Sequence, residues 1–194
     1  MGQIRNVVVV GAGTMGSQIA LQAAFSGRYE VFLVDTAPGQ LDRARKQNDG
    51  LVARAIEKGR MSAEEGAKAL ERITTSEDLA VTAAGADLVI EAVVEDFEAK
   101  EAVFTALGDD APVDTIIASN SSTIAISRLA GFTGHPERCC NMHFFHPVTV
   151  MQLCEVVRGP QTSDQTVAAA VEFVRSSSGA SGPSPWRWRS FIAP

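Results

Sequence analysis

The chain has 194 residues, of which 45% are hydrophobic and 21% charged, with a formal net charge of −6. This composition suits one globular domain, or one domain and part of another. The acidic balance argues against nucleic acid as the main partner, because phosphate binding favours a basic face. No run approaches the roughly 18 to 20 apolar residues of a membrane helix, so we expect no membrane partner.

Strand-like and helical patterns alternate along the chain. Apolar runs predict strands at Ile4–Val10, Val31–Val34, Leu88–Val94, Thr115–Ala118, Met142–Phe145 and Leu153–Val157. Between them, helical patterns occur at Thr14–Ser26, Gln40–Lys58, Ser62–Arg72, Phe97–Leu107, Ser127–Ala130 and Ser163–Arg175. Most of the apolar runs lack polar alternation, as in strands buried on both faces of a parallel sheet. The order predicts a doubly wound α/β domain of Rossmann type over residues 1–175.

Two charged helices follow the second strand in succession, as a helical hairpin inserted into the basic α/β pattern. Ser62 followed by Glu65 predicts a capping box at the start of the second helix. The hairpin is interpreted either as a solvated surface insertion without a binding role or as a segment that covers a ligand.

The segment "VVVVGAGTMGSQIA" predicts a dinucleotide-binding turn between a buried strand and a helix. Gly11 permits the tight turn, and Gly13 lets backbone amides approach a pyrophosphate. Gly16 lets the helix pack close to the strand, and the helix N-terminus at Thr14 and Met15 faces the phosphates. The alternative is a structural glycine-rich turn without a nucleotide.

Asp35 ends the next predicted strand, "EVFLVD". A carboxylate at this place accepts hydrogen bonds from an adenosine ribose and repels a 2′-phosphate. No arginine follows at Thr36 or Ala37 to reverse this preference, so NAD(H) is expected over NADP(H).

The cysteines Cys139, Cys140 and Cys154 are odd in number and form no CxxC motif. They indicate reduced thiols in a cytoplasmic protein, with neither a disulfide framework nor a metal site.

The segment "CCNMHFFHPVTVMQLCEVVRG" places His143, His146 and Glu155 in an apolar context, where polar side chains need partners. Together with "IEAVVEDFEAK" and "ASNSST", it resembles the L-3-hydroxyacyl-CoA dehydrogenases, including bacterial 3-hydroxybutyryl-CoA dehydrogenases, over about residues 4–175. The resemblance implies reversible NAD-dependent oxidation of a 3-hydroxyacyl-CoA to the 3-oxoacyl-CoA in cytoplasmic fatty-acid metabolism, including β-oxidation. Alternatives are a dehydrogenase for another hydroxy acid and an NAD-binding module without catalysis.

The resemblance also implies roles for single residues of the catalytic site. His143 matches the general base that takes the proton of the substrate 3-hydroxyl, and Glu155 matches its carboxylate partner. Ser122 matches the serine that hydrogen-bonds the substrate oxygen. The alternative for His143 and Glu155 is a core histidine with satisfied hydrogen bonds and an unrelated, solvated glutamate. The alternative for Ser122 is a helix cap.

Four further positions follow from the same resemblance. Glu95 and Lys100 match residues on the cofactor side, and Lys58 lies where the family's hairpin offers a lysine to coenzyme A. A solvated helix lysine is the alternative at position 58. His146 stands where the family usually has asparagine, which is expected to alter the orientation of the nicotinamide.

From Ser176 onward the pattern of the family gives way to "SSSGASGPSPWRWRSFIAP". We expect this segment to be irregular, because Pro183 and Pro185 disfavour helix and strand. The family continues into a last strand and a helical domain that forms its homodimer interface, and we expect these parts to be absent here. A frameshift or truncation near Ser176 is the hypothesis that accounts for the change. NAD binding with very weak or absent turnover is its expected consequence.

Overall fold

A computed structural model describes residues 3–151, 153–177 and 187–192, the last range by its backbone alone. The strands are β1 (Asn6–Val10), β2 (Glu30–Val34), β3 (Ile73–Ser76), β4 (Leu88–Glu91), β5 (Ile116–Ser119), β6 (Cys139–Phe144), β7 (Leu153–Arg158) and β8 (Arg187–Ile192). The helices are α1 (Thr14–Phe25), α2 (Gln40–Glu57), α3 (Ala63–Glu71), α4 (Leu79–Ala83), α5 (Phe97–Asp110), α6 (Ile126–Leu129) and α7 (Asp164–Ser176). All six predicted strands and all six predicted helices are present, with bounds that differ by a few residues.

The strands form one sheet in the order β3-β2-β1-β4-β5-β6-β7-β8. All neighbouring strands are parallel except β6 and β7, which are antiparallel. The predicted doubly wound, mostly parallel sheet with a helical hairpin after the second strand is therefore confirmed. The strand order reverses between β1 and β4, and in such sheets ligands bind beyond the carboxyl ends of the strands at that point.

The sheet is covered on both faces by apolar side chains. Val7, Val9 and Leu33 belong to one core cluster, while Val8 and Val89 belong to a second one. Successive residues of a strand point to opposite faces, so the unbroken valine run of β1 supplies both clusters. This explains why the strand lacks polar alternation.

The inserted hairpin consists of α2 and α3. Ser62 Oγ accepts a hydrogen bond from the Glu65 backbone N–H, and the Glu65 carboxylate accepts one from the Ser62 backbone N–H. The predicted capping box is confirmed. Asn48 fastens the hairpin to the domain, since its side-chain amide donates to the Ser17 carbonyl at 3.1 Å.

The short elements β3 and α4 are among those without a counterpart in the sequence prediction. The sequence of β3 is "ITTS", and its two central threonines are exposed. A four-residue edge strand of this kind has too little apolar periodicity to be recognised. The five-residue helix α4 begins at Asp78, whose carboxylate accepts from the Val81 N–H, and it is too short for a helical repeat.

The expected irregular structure from Ser176 onward is wrong at Arg187–Ile192. These six residues form β8, which pairs in parallel with the free edge of β7. Backbone N–H and C=O groups form the hydrogen bonds between strands. A segment without internal proline can therefore pair with an edge strand even when its hydrophobic pattern is weak. Pro183 and Pro185 precede the strand and lie outside the described residues, and the hypothesis of a frameshift stays a prediction.

The described helices include none that is long and apolar enough to cross a membrane. In the same part of the chain, no three metal-ligating side chains lie together as a metal site. Cys139, Cys140 and Cys154 are free and buried. Burial raises the pKa of the Cys139 thiol to about 11, against the lowering effect of the Thr133 hydroxyl and of Arg138, so it stays protonated at neutral pH.

Candidate active site

His143 and Glu155 form the centre of the candidate site. They are directly opposite residues of the antiparallel pair β6–β7, a placement that brings two side chains within contact distance on one face. The distance from His143 Nδ1 to Glu155 Oε2 is 3.2 Å, and about a quarter of each side chain is exposed. On the other side of the ring, Nε2 lies 2.8 Å from Ser122 Oγ. The structure thus brings together all three predicted catalytic residues.

The two partners of His143 determine which ring nitrogen carries the proton. A carboxylate has no proton to donate, so Nδ1 is the nitrogen that donates to Glu155. In the neutral ring, Nε2 is then an acceptor and receives the hydroxyl proton of Ser122. His143 is therefore arranged with a basic nitrogen directed toward Ser122 and with a carboxylate behind it, as a general base requires.

Ser122 lies in the loop between β5 and α6, and neighbouring side chains fix this loop. Asn120 Oδ1 accepts from the Phe144 backbone N–H at 2.9 Å, which ties the loop to the strand of His143. Ser121 Oγ accepts from the Ile124 N–H, and Asn141 Oδ1 accepts from the first amide of α6. Ser122 is thus not the cap of this helix, and its hydroxyl contacts His143 instead.

Glu95 connects the loop after β4 with the loop of Ser122. Its carboxylate accepts hydrogen bonds from the hydroxyl of Ser121 and from the Thr123 hydroxyl and amide, and it lies 3.3 Å from Lys100 Nζ. Desolvation raises the pKa of Glu95, but these hydrogen bonds and the positive charge of Lys100 outweigh it and lower the pKa to about 2. Glu95 is therefore ionised at neutral pH.

Lys100 is buried beneath this loop. Only 1% of its side chain is exposed, and Nζ lies 2.7 Å from Glu91 Oε1, whose side chain is fully buried. Glu91 Oε2 accepts from Ser119 Oγ at 2.6 Å, so both of its oxygens are bonded. Lys100 thus supports Glu95 from below, and its burial keeps it from direct contact with a ligand, so its predicted place on the cofactor side stays a prediction.

The glycine turn has a backbone that only glycine allows at two of its positions. Gly11 has φ +99°, and a Cβ there would lie 2.6 Å from the Ala92 carbonyl oxygen. A Cβ on Gly16 would lie 1.8 Å from the Gly11 carbonyl oxygen, so only glycine allows α1 to approach β1 this closely. Beside Gly13 the space is open, and no side chain caps the first turn of α1 at Thr14 and Met15. Uncapped amides beside open space fit a bound diphosphate.

Asp35 lies at the end of β2, beside this turn. Its Oδ2 accepts from the Ala12 N–H at 2.7 Å and its Oδ1 from the Ala37 N–H at 2.8 Å. Each carboxylate oxygen can accept a second hydrogen bond, so the pair of hydroxyls of a ribose fits here.

His146 and Lys58 occupy the margins of the candidate site. His146 is exposed, in the loop between β6 and β7, and its Nε2 lies 3.5 Å from Nε2 of Gln18 on α1. Lys58 is the exposed residue that ends α2. In the described part of the chain, no contact joins Lys58 to the other predicted residues. Only contact with a ligand could therefore give Lys58 a role at this site.

Three supporting residues were not predicted from the sequence, namely Gln18, Glu91 and Asn120. Glu91 could have been recognised from the sequence. A glutamate at the end of an apolar strand needs a partner, and Lys100 follows nine residues later. Asn120 and Gln18 gave no signal of this kind. Their partners are the backbone amides of Phe144 and Val148, which the sequence does not locate.

Comparisons with known proteins show the family of the chain. The family described as "3-hydroxyacyl-CoA dehydrogenase, NAD binding domain" matches residues 6–180. A probable 3-hydroxybutyryl-CoA dehydrogenase of Bacillus subtilis (strain 168) is 41% identical over 164 residues, which are 84% of this chain and 56% of the relative. The fatty acid oxidation complex subunit alpha of Colwellia psychrerythraea is 39% identical over 170 residues, 88% of this chain and 23% of the relative.

A solved structure shows the same arrangement of the chain. The (S)-3-hydroxybutyryl-CoA dehydrogenase of Ralstonia eutropha superposes with a TM-score of 0.91 at 34% identity, over 99% of this chain and 65% of that one. The chain spans about half the length of its Bacillus relative and two thirds of this structure. It belongs to the 3-hydroxyacyl-CoA dehydrogenase family, and residues 6–180 are its NAD-binding domain.

Proposed function

We propose that the chain carries the cofactor and proton-transfer parts of an enzyme that reversibly oxidises an L-3-hydroxyacyl-CoA to the 3-oxoacyl-CoA. The observation that carries the proposal is the row Glu155–His143–Ser122, with a basic ring nitrogen directed toward a hydroxyl. Bound NAD supplies a hydride acceptor for the carbon that bears the substrate hydroxyl. The protein must then remove the hydroxyl proton.

His143 takes this proton at Nε2. In the absence of substrate, Ser122 donates to this nitrogen, and a substrate hydroxyl can replace Ser122 as the donor. Ser122 then donates to the substrate oxygen and holds it beside the ring. In the reverse direction, the imidazolium of His143 returns the proton to this oxygen.

Glu155 assists by stabilising the charge that forms on His143. The carboxylate keeps the ring in the Nδ1–H tautomer and remains bonded when Nε2 becomes protonated. A charge-assisted hydrogen bond is stronger than the neutral one it replaces. The stabilisation therefore increases as the proton moves, as differential binding of a transition state requires.

The glycine turn and Asp35 select and hold the dinucleotide, in which Gly11, Gly13 and Gly16 shape the space for the diphosphate. Glu95 organises the loops on the nicotinamide side, with Lys100 beneath it. We propose Lys58 as a cation for coenzyme A, since it is exposed on the hairpin and its ammonium suits a phosphate. A cytoplasmic location is proposed on the three free thiols and on the family relationship.

The test uses the 194-residue chain, NADH and acetoacetyl-CoA. We expect NADH to bind, measured by fluorescence, and its oxidation to depend on acetoacetyl-CoA at a low rate. His143→Gln should abolish this oxidation and leave NADH affinity within about twofold, whereas Glu155→Gln should lower the rate by about 10²- to 10⁴-fold, the range of acid–base catalysis. His135→Gln, a surface histidine, is the matched control.

Different outcomes separate the proposal from its alternatives. NADH binding without any acetoacetyl-CoA turnover would support an NAD-binding module and contradict catalysis by this chain. Turnover of free hydroxy or oxo acids in preference to the thioester would indicate a dehydrogenase for another hydroxy acid. Full activity in His143→Gln would remove His143 from the mechanism.

A further inference from the structure

Gln18 is a buried polar side chain that the mechanism above does not use. It lies in the second turn of α1, with 3% of its surface exposed. Its Oε1 accepts a hydrogen bond from the Val148 backbone N–H at 2.9 Å, and its Nε2 lies 3.5 Å from His146 Nε2. One amide thus joins the helix that begins at the glycine turn to the loop between the two catalytic strands.

The contact with Val148 determines which way the amide points. A backbone N–H only donates, so the atom that faces it must be the carbonyl oxygen of the amide. Val148 is fully buried, so a half turn of the amide would set two buried donors against each other. The NH₂ group of Gln18 is therefore directed to His146.

An NH₂ group beside a ring nitrogen selects the protonation state of that ring. A hydrogen bond at this 3.5 Å contact needs Nε2 of His146 as the acceptor, because the amide nitrogen has no available lone pair. A neutral imidazole has one donor and one acceptor, which leaves the proton on Nδ1. In the described part of the chain, Gln18 is the hydrogen-bonding partner that His146 has.

We propose that Gln18 is a positioning residue that holds His146 as the neutral Nδ1–H tautomer and fastens the loop between β6 and β7 to the dinucleotide-binding helix. Nδ1–H is then a directed donor three residues after His143. It suits a carboxamide oxygen, such as that of a bound nicotinamide. This assignment of the acceptor rests on the proposed function, whereas the tautomer and the link between helix and loop do not.

The first experiment observes the tautomer directly, by nitrogen-15 NMR of the histidine rings in the ligand-free chain at mildly alkaline pH. The chain has three histidines, and His146→Asn identifies the signals of His146. We expect the pattern of an Nδ1–H ring. Gln18→Glu should convert it to an Nε2–H ring or an imidazolium, because a carboxylate can only accept, and Gln18→Met should give a mixture of both tautomers.

Gln22→Met is the matched control on the same helix. Gln22 lies one turn further along α1 and donates to the Ser177 carbonyl at 3.0 Å, away from the loop. Its replacement should leave the His146 signals unchanged. An Nε2–H ring in the unmodified chain, or signals that do not respond to Gln18→Glu in a folded protein, would overturn the assignment of the tautomer.

The second experiment measures NADH affinity in the same variants. Gln18→Met should weaken NADH binding about threefold to tenfold, as for the loss of one hydrogen bond, while Gln22→Met should not. Equal affinity of Gln18→Met and the unmodified chain would overturn the link to the cofactor. A chain that shows the Nδ1–H ring but binds no NADH would contradict the proposed function and leave the tautomer assignment standing.

Discussion

Asp35 fixes the glycine turn and, in the function proposed above, also selects the ligand. One oxygen fixes the glycine turn through Ala12, and the other fixes its own loop through Ala37. The negative charge is therefore held in place before any ligand arrives. A 2′-phosphate would meet this charge at close range, whereas ribose hydroxyls would meet an acceptor.

We predict that the unmodified chain binds NADH more tightly than NADPH. Asp35→Ala should reduce the ratio of the NADPH to the NADH dissociation constant by about tenfold or more, which corresponds to the removal of about 1.4 kcal/mol of repulsion. Fluorescence titration with each nucleotide measures both affinities. Asp42→Ala removes the same charge from the first turn of α2 and is the control. If the ratio of the NADPH and NADH dissociation constants is the same in Asp35→Ala as in the unmodified chain, Asp35 does not approach the ribose.

Glu95 gives a second prediction, which concerns acid stability. Its pKa lies at about 2 in the folded chain and at about 4.5 without the fold. A lowered pKa means that the folded state binds the proton less readily than the unfolded state. The stabilisation is thus fully present above about pH 4.5 and is lost as the pH falls through about 2.

Glu95→Gln should therefore lower the free energy of unfolding at neutral pH, and the difference from the unmodified chain should shrink toward pH 2. Urea unfolding followed by circular dichroism at several pH values measures this difference. Glu98→Gln, on the exposed side of α5, is the control. A difference that stays constant with pH would contradict the charged hydrogen bonds of Glu95.

Among the elements, α3 depends on its capping box. The helix has nine residues, and helices this short are marginal without added interactions. Ser62→Ala removes the acceptor for the Glu65 N–H and should cost about 0.5–2 kcal/mol of stability. Chemical unfolding measures the change, and Ser127→Ala, an exposed serine inside α6, serves as control. An unfolding midpoint unchanged by Ser62→Ala would mean that the hairpin unfolds separately from the domain.

The elements also show where the sequence was informative. The Gly11–Gly16 turn, the valine run of β1 and the Ser62 capping box could be predicted, because each depends on residues that are close together in the chain. The antiparallel direction of β6 and β7 fits the short loop that connects them, and it sets His143 opposite Glu155.

Other features depend on tertiary partners and could not be predicted. The polar edge strand β3 is stabilised by pairing with β2, and β8 by pairing with β7. The inward orientation of Lys100 follows from its ion pair with Glu91. Glu91 ends the apolar strand β4 and lies below the loop of Glu95. In each case the deciding contact joins segments whose proximity exists only after the sheet has formed.

At the scale of the whole molecule, exposed apolar side chains occur at the edge of the sheet that carries the site. Val94 follows β4, and Val150 and Met151 lie in the loop after β6, with between 45% and 70% of each side chain exposed. Exposed apolar surface promotes association when it is contiguous. We predict that the 194-residue chain self-associates, and that replacing Val150 and Met151 by serine reduces this.

Light scattering across a concentration series measures the association. Val113 is the matched control, because it is 64% exposed but precedes β5, at the opposite edge of the sheet. Val113→Ser should therefore leave the association unchanged. A monomer at all concentrations in the unmodified chain would contradict the prediction.

The antiparallel pairing of β6 with β7 has a consequence for how the chain can be altered by insertion. The ladder itself sets His143 opposite Glu155, and side chains alternate between faces, so one residue added within either strand would turn the carboxylate away from the ring. Two glycines added between Thr149 and Val150, beyond the anchor at Val148, would leave both the ladder and the Gln18 contact in place. The loop tip is thus the part of this site where length can vary without disturbing the proposed base, so a segment that changes specificity can be inserted there.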